Sequence, residues 1–191
     1  MMVAPVPLPE GAPDPDAVAG LIRAGAHRDA VALCARVHGS AVGRLCMALL
    51  GSQAEAEETL QDTLLAAHDG MPSYRGEGTV RAWLFGIARR LCARRMVTRL
   101  RRAEKIERLD RAPPDEPPDS VLLTKERARK VRAALAHLSP TEREAVLLRF
   151  ESELSFREIA AACEVDEATA RKRASRGLAR LRGLLDREDV S

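Results

Sequence analysis

Thr169, Lys172, Arg173, Arg176 and Arg180 recur so that, at 100° per residue, they fall on one side of a helix. Cations and a hydroxyl on one helix face are groups that bind phosphate oxygens and base edges. Arginine can reach guanine O6 and N7 with two hydrogen bonds, worth about 1–3 kcal/mol of discrimination. A second set of cations runs from Arg89 through Arg90, Arg94, Arg95, Arg99, Arg101 and Arg102, with no acidic residue before Glu104. Arginines this dense repel one another unless a polyanion neutralises them, and nucleic-acid phosphate is the expected counterpart. A solvated basic helix is the bland alternative for each set. No hydrolytic or phosphate-binding signature accompanies them: G-x-x-x-x-G-K-[ST], H-E-x-x-H and G-x-S-x-G are all missing. The histidines, His27, His38, His68 and His137, are dispersed. No catalytic residue, cofactor or metal ligand is therefore assigned, and the chain reads as a binding protein rather than an enzyme.

The elements that must position these cations are helices. Ser155 and Glu158 form an S-x-x-E capping box, so a helix starts there. Glu164-Val165-Asp166 is a short turn, and Asp166 is an N-cap for a second helix. That helix carries the first set of cations on its wet face and Ala170, Ala174, Leu178, Leu181 and Leu185 as a narrow apolar stripe on the other. A short capped helix, a turn and a basic amphipathic helix make a helix-turn-helix pattern. Ser139-Pro140-Thr141-Glu142 starts the helix before it.

Upstream, residues 16–24 and 27–50 have helical periodicity, with Val31, Cys34, Val37, Val42, Leu45 and Leu49 as an apolar face. Ser52 and Glu55 suggest a second capping box. The helix they start, 53–68, has Ala56, Leu60, Leu64 and Ala67 as its apolar side. Its other side, Glu57, Glu58, Gln61 and Asp62, is acidic or polar, a face that is either solvated or docked on a basic partner. Gly70–Gly78 is a loop, and Thr79 caps a long helix running to about Arg111, with Trp83, Ile87, Leu91 and Met96 toward the core.

Ala112–Asp119, APPDEPPD, has four prolines and cannot be helix interior. It reads as a flexible, acidic, Pro-rich linker. The expected fold is all-α: a disordered tail at 1–15, a helical domain at 16–111, the linker at 112–119 and a C-terminal helix-turn-helix domain at 120–186.

With 191 residues, 31% charged and only 3% aromatic, the composition suits such helices. Met1–Asp16 carries five prolines and no basic residue, unlike a signal peptide. No apolar run approaches the length of a membrane span, so no membrane insertion and a cytoplasmic location are expected. Cys34, Cys46, Cys92 and Cys163 are scattered without a C-x-x-C pair. Cys34 and His38, one helical turn apart, are the one place for a metal or redox pair. Small apolar residues in helices is the bland reading of all four.

Two stretches together resemble a known family. Residues 54–102, with AEAEETLQDTLLAAH and then YRGEGTVRAWLFGIARR, are similar to region two of bacterial sigma-70 family RNA polymerase sigma factors, extracytoplasmic-function (ECF) group. Residues 134–185, with ALAHLSPTEREAVLLRF and LSFREIAAACEVDEATARKRASRGLARLRGLL, are similar to region four. The resemblance implies a subunit that binds core RNA polymerase, directs it to promoters and helps open the DNA. By the same resemblance Glu57, Glu58, Gln61 and Asp62 dock on the clamp helices of the polymerase β′ subunit. Tyr74, Arg75 and Gly76, with Arg89, Arg90, Arg94 and Arg95, capture the single-stranded minus-ten element. Thr169, Arg171, Lys172, Arg173 and Arg176 read the duplex minus-thirty-five element. The linker, with Asp115, Glu116 and Asp119, threads the RNA-exit path, and contacts to the polymerase β subunit and an anti-sigma partner are implied.

This chain departs from the family pattern at four positions. Glu164 stands where the turn often has glycine, Arg90 where asparagine is frequent, and Ala170 and Ala174 where larger apolar residues are frequent, which predicts looser packing of the C-terminal domain. Two rival functions fit parts of the sequence: a free-standing helix-turn-helix regulator, which leaves the second basic helix unexplained, and a thiol- or metal-responsive helical sensor built on the cysteines.

Overall fold

The computed structural model describes residues 15–106 and 130–188. The described residues form eight α-helices and one short 3-10 turn, with no strand among them. Helix α1 is Pro15–Arg23, α2 His27–Leu50 and α3 Gln53–Gly70. The 3-10 turn Met71–Ser73 leads to α4, Val80–Ile106. Helix α5 is described over residues 130–136. Then come α6 Pro140–Phe150, α7 Phe156–Cys163 and α8 Glu167–Glu188. The tail expected at 1–15, all but its last residue, lies outside the described residues. So do the linker 112–119, with Asp115, Glu116 and Asp119, and the end of the long helix beyond Ile106.

Most helix starts follow their sequence signals. Ser139 and Glu142, and Ser155 and Glu158, close complete capping boxes. Thr79 Oγ1 accepts from the Ala82 backbone N–H at 3.1 Å. Ser52 accepts from the Glu55 N–H at 3.4 Å, but no return bond forms, because the Glu55 carboxylate faces Arg99 at 3.5 Å. The end of α2 uses Gly51 at φ 73°, whose N–H donates to the Met47 carbonyl at 2.8 Å.

The core side of α3 is not the one its leucines suggest. Ala56, Thr59, Thr63 and Ala67 are buried, while Leu60 and Leu64 are only partly so. Both threonines are fully enclosed because each hydroxyl donates to a carbonyl one turn back, Thr59 to Glu55 at 2.6 Å and Thr63 to Thr59 at 2.7 Å. A hydroxyl satisfied inside its own helix removes most of the cost of burying it.

Helix α2, 24 residues long, meets the length and composition of a membrane span, contrary to the expectation of no such run. Half of its most apolar stretch is buried among the other helices, with Ala30, Leu33, Cys34, Val42, Leu45, Cys46 and Leu49 in the core. Helix α4 lies across α2 and α3 and also meets α7. Enclosed from several sides, its first turns bury Leu84, Phe85, Ala88 and Cys92 completely. Trp83, Leu91 and Met96, expected in the core, are partly exposed flank residues instead. One apolar cluster runs from Val42 and Leu45 of α2 through Phe85 to Leu148, Leu154 and Ile159 of the C-terminal half.

Candidate nucleic-acid interface

The turn between α7 and α8 places Glu164 at φ 57°, in the left-handed region that glycine adopts freely. For a residue with a Cβ this conformation costs about 1–2 kcal/mol. The Glu164 carboxylate meets Arg90 at 2.5 Å, a pair whose side chains are 68% and 45% exposed and which is worth about 0–1 kcal/mol. Glu164→Gly is therefore expected to raise the stability of the helix-turn-helix by about 1 kcal/mol, the middle of the strain relieved less the worth of the ion pair. Urea unfolding followed by circular dichroism checks this, and a lower midpoint contradicts it.

Helix α8 starts on Asp166, which accepts from the Thr169 N–H and from the Thr169 hydroxyl, both at 2.7 Å. These bonds, the hydroxyl first, hold the Asp166 carboxyl below its ordinary pKa. The Thr169 hydroxyl proton is thus committed to the cap, and the side chain is half-buried. Arg171 pairs with Glu167 at 2.9 Å and lies over the Phe156 ring, 4.5 Å from its centroid. Arg180 pairs with Glu142 of α6 at 2.9 Å. Arg173 is half-buried. Lys172 and Arg176 are exposed and make no hydrogen-bonded ion pair among the described residues, although the Arg176 charge helps to lower the Glu142 carboxyl from a distance. One turn apart on α8, they are the cations on this face left open to a phosphate or a base edge.

The α4 arginines are more heavily engaged than their density suggests. Arg95 donates to Glu58 at 2.8 Å and Asp62 at 2.7 Å, both on α3. Arg99 donates to the Leu50 carbonyl at 3.2 Å and faces Glu55. Arg89 meets Glu144 at 3.2 Å, and Arg90 meets Glu164. Carboxylates of α3, α6 and the α7–α8 turn thus neutralise Arg89, Arg90, Arg95 and Arg99 within the chain, where the sequence suggested a polyanion for the whole run. Arg94 is exposed and has no such partner among the described residues. The Tyr74 ring packs against Trp83, tilted by 46° with centroids 4.9 Å apart, and its hydroxyl donates to the Gly78 carbonyl at 3.0 Å. Beside this pair is a cleft of about 290 Å³ lined by Gly70, Ser73, Tyr74, Trp83, Arg90 and Arg94. On the other side of Tyr74, a larger cleft of about 680 Å³ reaches Arg75, Gly76 and α1. Aromatic walls with guanidinium groups at the rim suit an unstacked base and its phosphate.

On the acidic side of α3, Glu58 and Asp62 hold Arg95, and Glu57 accepts from Gln53 at 2.5 Å. The hydrogen bond from Arg95 lowers the Glu58 carboxyl below its ordinary pKa. Gln61 is exposed. Leu65, 65% exposed on the same helix, has no signal in the sequence, because one leucine among so many does not stand out.

Cys46 and Cys92 meet in the core, where the hydrogen bond between their thiols holds Cys46 below its ordinary pKa and, with burial, raises Cys92. Cys34, Cys46 and Cys92 are buried and Cys163 is half-buried. Burial pushes the Cys34 thiol up to about 11 and raises Cys163 as well, disfavouring the thiolate. Among the described residues no group of three or more His, Cys, Asp or Glu could hold a metal ion.

Known proteins share both halves of this chain. Residues 34–106 match Sigma-70 region 2, and residues 128–181 match Sigma-70, region 4. The ECF RNA polymerase sigma factor SigM of Mycobacterium tuberculosis is 31% identical over 156 residues, covering 78% of this chain and 74% of that protein. The ECF RNA polymerase sigma factor SigE of Mycolicibacterium smegmatis is 33% identical over 153 residues, again 78% of this chain but only 59% of SigE. Among solved structures, the sigma factor RpoE of Bartonella quintana, in complex with the anti-sigma factor NepR, superposes with a TM-score of 0.64 at 28% identity. The match covers 80% of this chain and 94% of that one.

Proposed function

The chain belongs to the ECF RNA polymerase sigma factors, and from that membership we propose that it binds core RNA polymerase and directs it to specific promoters by reading DNA in two forms. In this reading α8 enters the major groove of the minus-thirty-five duplex, with Lys172 and Arg176 as principal contacts and Arg173 and Thr169 beside them. Arg171, tied to Glu167 and Phe156, supports the helix more than it reads DNA. The Tyr74–Trp83 cleft receives an unstacked base of the melted minus-ten strand, with Arg94 at its rim for phosphate. Arg75 and Gly76 belong to the loop that shapes this site, and Arg89, Arg90 and Arg95 join it when their carboxylate partners let go.

Glu57, Gln61 and the flanks of Glu58 and Asp62 form the face for the β′ clamp helices. Their charge steers a basic partner, and Leu65 supplies apolar contact. Region four would also meet the β subunit. An anti-sigma partner is proposed for this chain because RpoE is seen bound to one. The chain itself contributes recognition and strand separation rather than catalysis, and its place of work is the cytoplasm with the polymerase.

The observation that carries this reading is the occurrence, in one chain and in order, of both matched regions, the second presenting Lys172 and Arg176 on an exposed helix face. Run-off transcription tests it: purified chain added to core polymerase should yield a defined transcript from the promoter of its own operon. Core binding without promoter-specific transcript would refute the proposal. Tight duplex binding by the chain alone, with no effect on core, would favour a free-standing regulator instead.

A further inference from the structure

Cys46 and Cys92 take no part in reading a promoter, and their placement differs from that of the other two cysteines. Cys46 lies in the last turns of α2 and Cys92 in the middle of α4, two helices that pack against each other. Both side chains are fully enclosed. Their thiols are hydrogen-bonded to one another. Cys34 and Cys163 have no thiol beside them among the described residues. Burial alone raises the first, and Arg89, Glu144, Arg173 and Glu164 are the charges around the second.

One thiol in a helix contact is a small apolar group, but two in contact are also a source of two electrons. The surroundings distinguish the two sulfurs. Cys46 accepts the S–H of Cys92, which favours its thiolate against the cost of burial. The Arg95 guanidinium, one turn along α4 from Cys92, favours the thiolate at both positions. Glu144 opposes it at Cys92. Cys46 is therefore the better nucleophile, with Cys92 in place to attack it in turn.

We propose that Cys46 and Cys92 are an oxidisable dithiol, which a hydroperoxide closes to a disulfide that staples α2 to α4. The Cys46 thiolate attacks the peroxide: an S–O bond forms and the O–O bond breaks. The departing oxygen takes up the Cys46 proton and leaves as water or an alcohol. The Cys92 sulfur then attacks the sulfenic sulfur of Cys46. The S–S bond forms, the S–O bond breaks, and its oxygen leaves as water with the Cys92 proton. Sulfur has lost two electrons and the peroxide has gained them. Hydrogen peroxide is little larger than water and enters a core through local opening. The new bond closes a loop that contains all of α3 and the Tyr74 segment, which restricts the unfolded chain and stabilises this half. Added thiol reverses it by exchange.

The test uses the full chain, reduced and then treated with hydrogen peroxide at neutral pH. The intact mass should fall by about 2 Da, the two thiol hydrogens, with no dimer formed. Two of the four thiols should no longer react after unfolding, and peptide mapping should join the segments that carry Cys46 and Cys92. The thermal midpoint should rise by about 4–16 °C and fall back on addition of dithiothreitol. Cys34→Ala/Cys163→Ala keeps the pair and should respond as wild type does. Cys92→Ser keeps a hydrogen-bond donor but cannot complete the disulfide, so Cys46 should accumulate as a sulfenic acid that dimedone traps. Should that variant not fold, the mapping of the wild-type chain decides. A link through Cys34 or Cys163, a gain of about 16 Da with no linked peptide, or an unmoved midpoint overturns the staple. A folded Cys92→Ser chain with no trapped Cys46 overturns the order assigned to the two sulfurs.

Discussion

Gly177→Leu should be the most damaging single substitution in the helix-turn-helix half, lowering its stability by about 3 kcal/mol or more. A Cβ at position 177 would lie 2.7 Å from Val146 Cγ2, 3.1 Å from the Glu142 carbonyl oxygen and 3.3 Å from Glu142 Cβ. Two of these atoms belong to the first turn of α6, and Val146 lies one turn further on, so a leucine side chain has nowhere to go without driving α6 and α8 apart. That separation would also pull Glu142 from Arg180 and loosen Ala170 and Ala174, which are 0% and 3% exposed. A glycine in a helix interior normally costs about 1 kcal/mol relative to alanine, so replacement by a larger residue is favourable wherever space allows. Gly183, on the same helix with nothing within 4 Å of its would-be Cβ, is that case. Gly183→Ala should stabilise by about 1 kcal/mol. Thermal unfolding followed by circular dichroism should give shifts of opposite sign for the two positions. A neutral Gly177→Leu would mean that the close α6–α8 approach is not kept in solution.

The same helix pair separates what a sequence conveys from what it does not. The alanines at 170 and 174 predict loose packing if helix separation is taken as fixed. The structure closes the separation instead, and small residues become the means of tight contact. Helix starts are legible because a capping box is a local bond between residues three apart, and both complete boxes lie where Ser139 and Ser155 put them. Faces are less legible. Thr59 and Thr63 look polar, yet each silences its hydroxyl within its own helix, a geometry that hydropathy does not encode.

The arginines of α4 are the extreme case. As a linear string they call for a polyanion, because their partners Glu55, Glu58, Asp62, Glu144 and Glu164 are remote in the chain and meet them only in the fold. Glu164 is the reverse: the resemblance puts it where the turn often has glycine, and the structure holds it in the left-handed region at φ 57°. Its pairing with Arg90 had no signal except that both residues depart from the family pattern together.

Lys172→Ala/Arg176→Ala should weaken promoter binding by the reconstituted polymerase about 30- to 150-fold, the effect of removing two charge-assisted hydrogen bonds of roughly 1–1.5 kcal/mol each. The choice follows from pairing rather than from charge alone. A cation already matched by a carboxylate must give up that partner to take a phosphate, so its net contribution to binding is small. Arg171, held by Glu167 and Phe156, and Arg180, held by Glu142, are in that position; Lys172 and Arg176 are not. Salt dependence separates the roles further. Removing one phosphate-binding cation should reduce the slope of log K against log salt by about 0.9, equally on all promoters, whereas removing a base reader should relax preference at one base pair. Filter binding across a salt series, with duplexes varied through the minus-thirty-five element, measures both. If Arg171→Ala or Arg180→Ala proves as costly as the Lys172 and Arg176 changes while helix content is retained, ion pairing within the free chain does not determine which cations of α8 meet DNA, because the paired ones would then exchange their carboxylates for phosphate at no net cost.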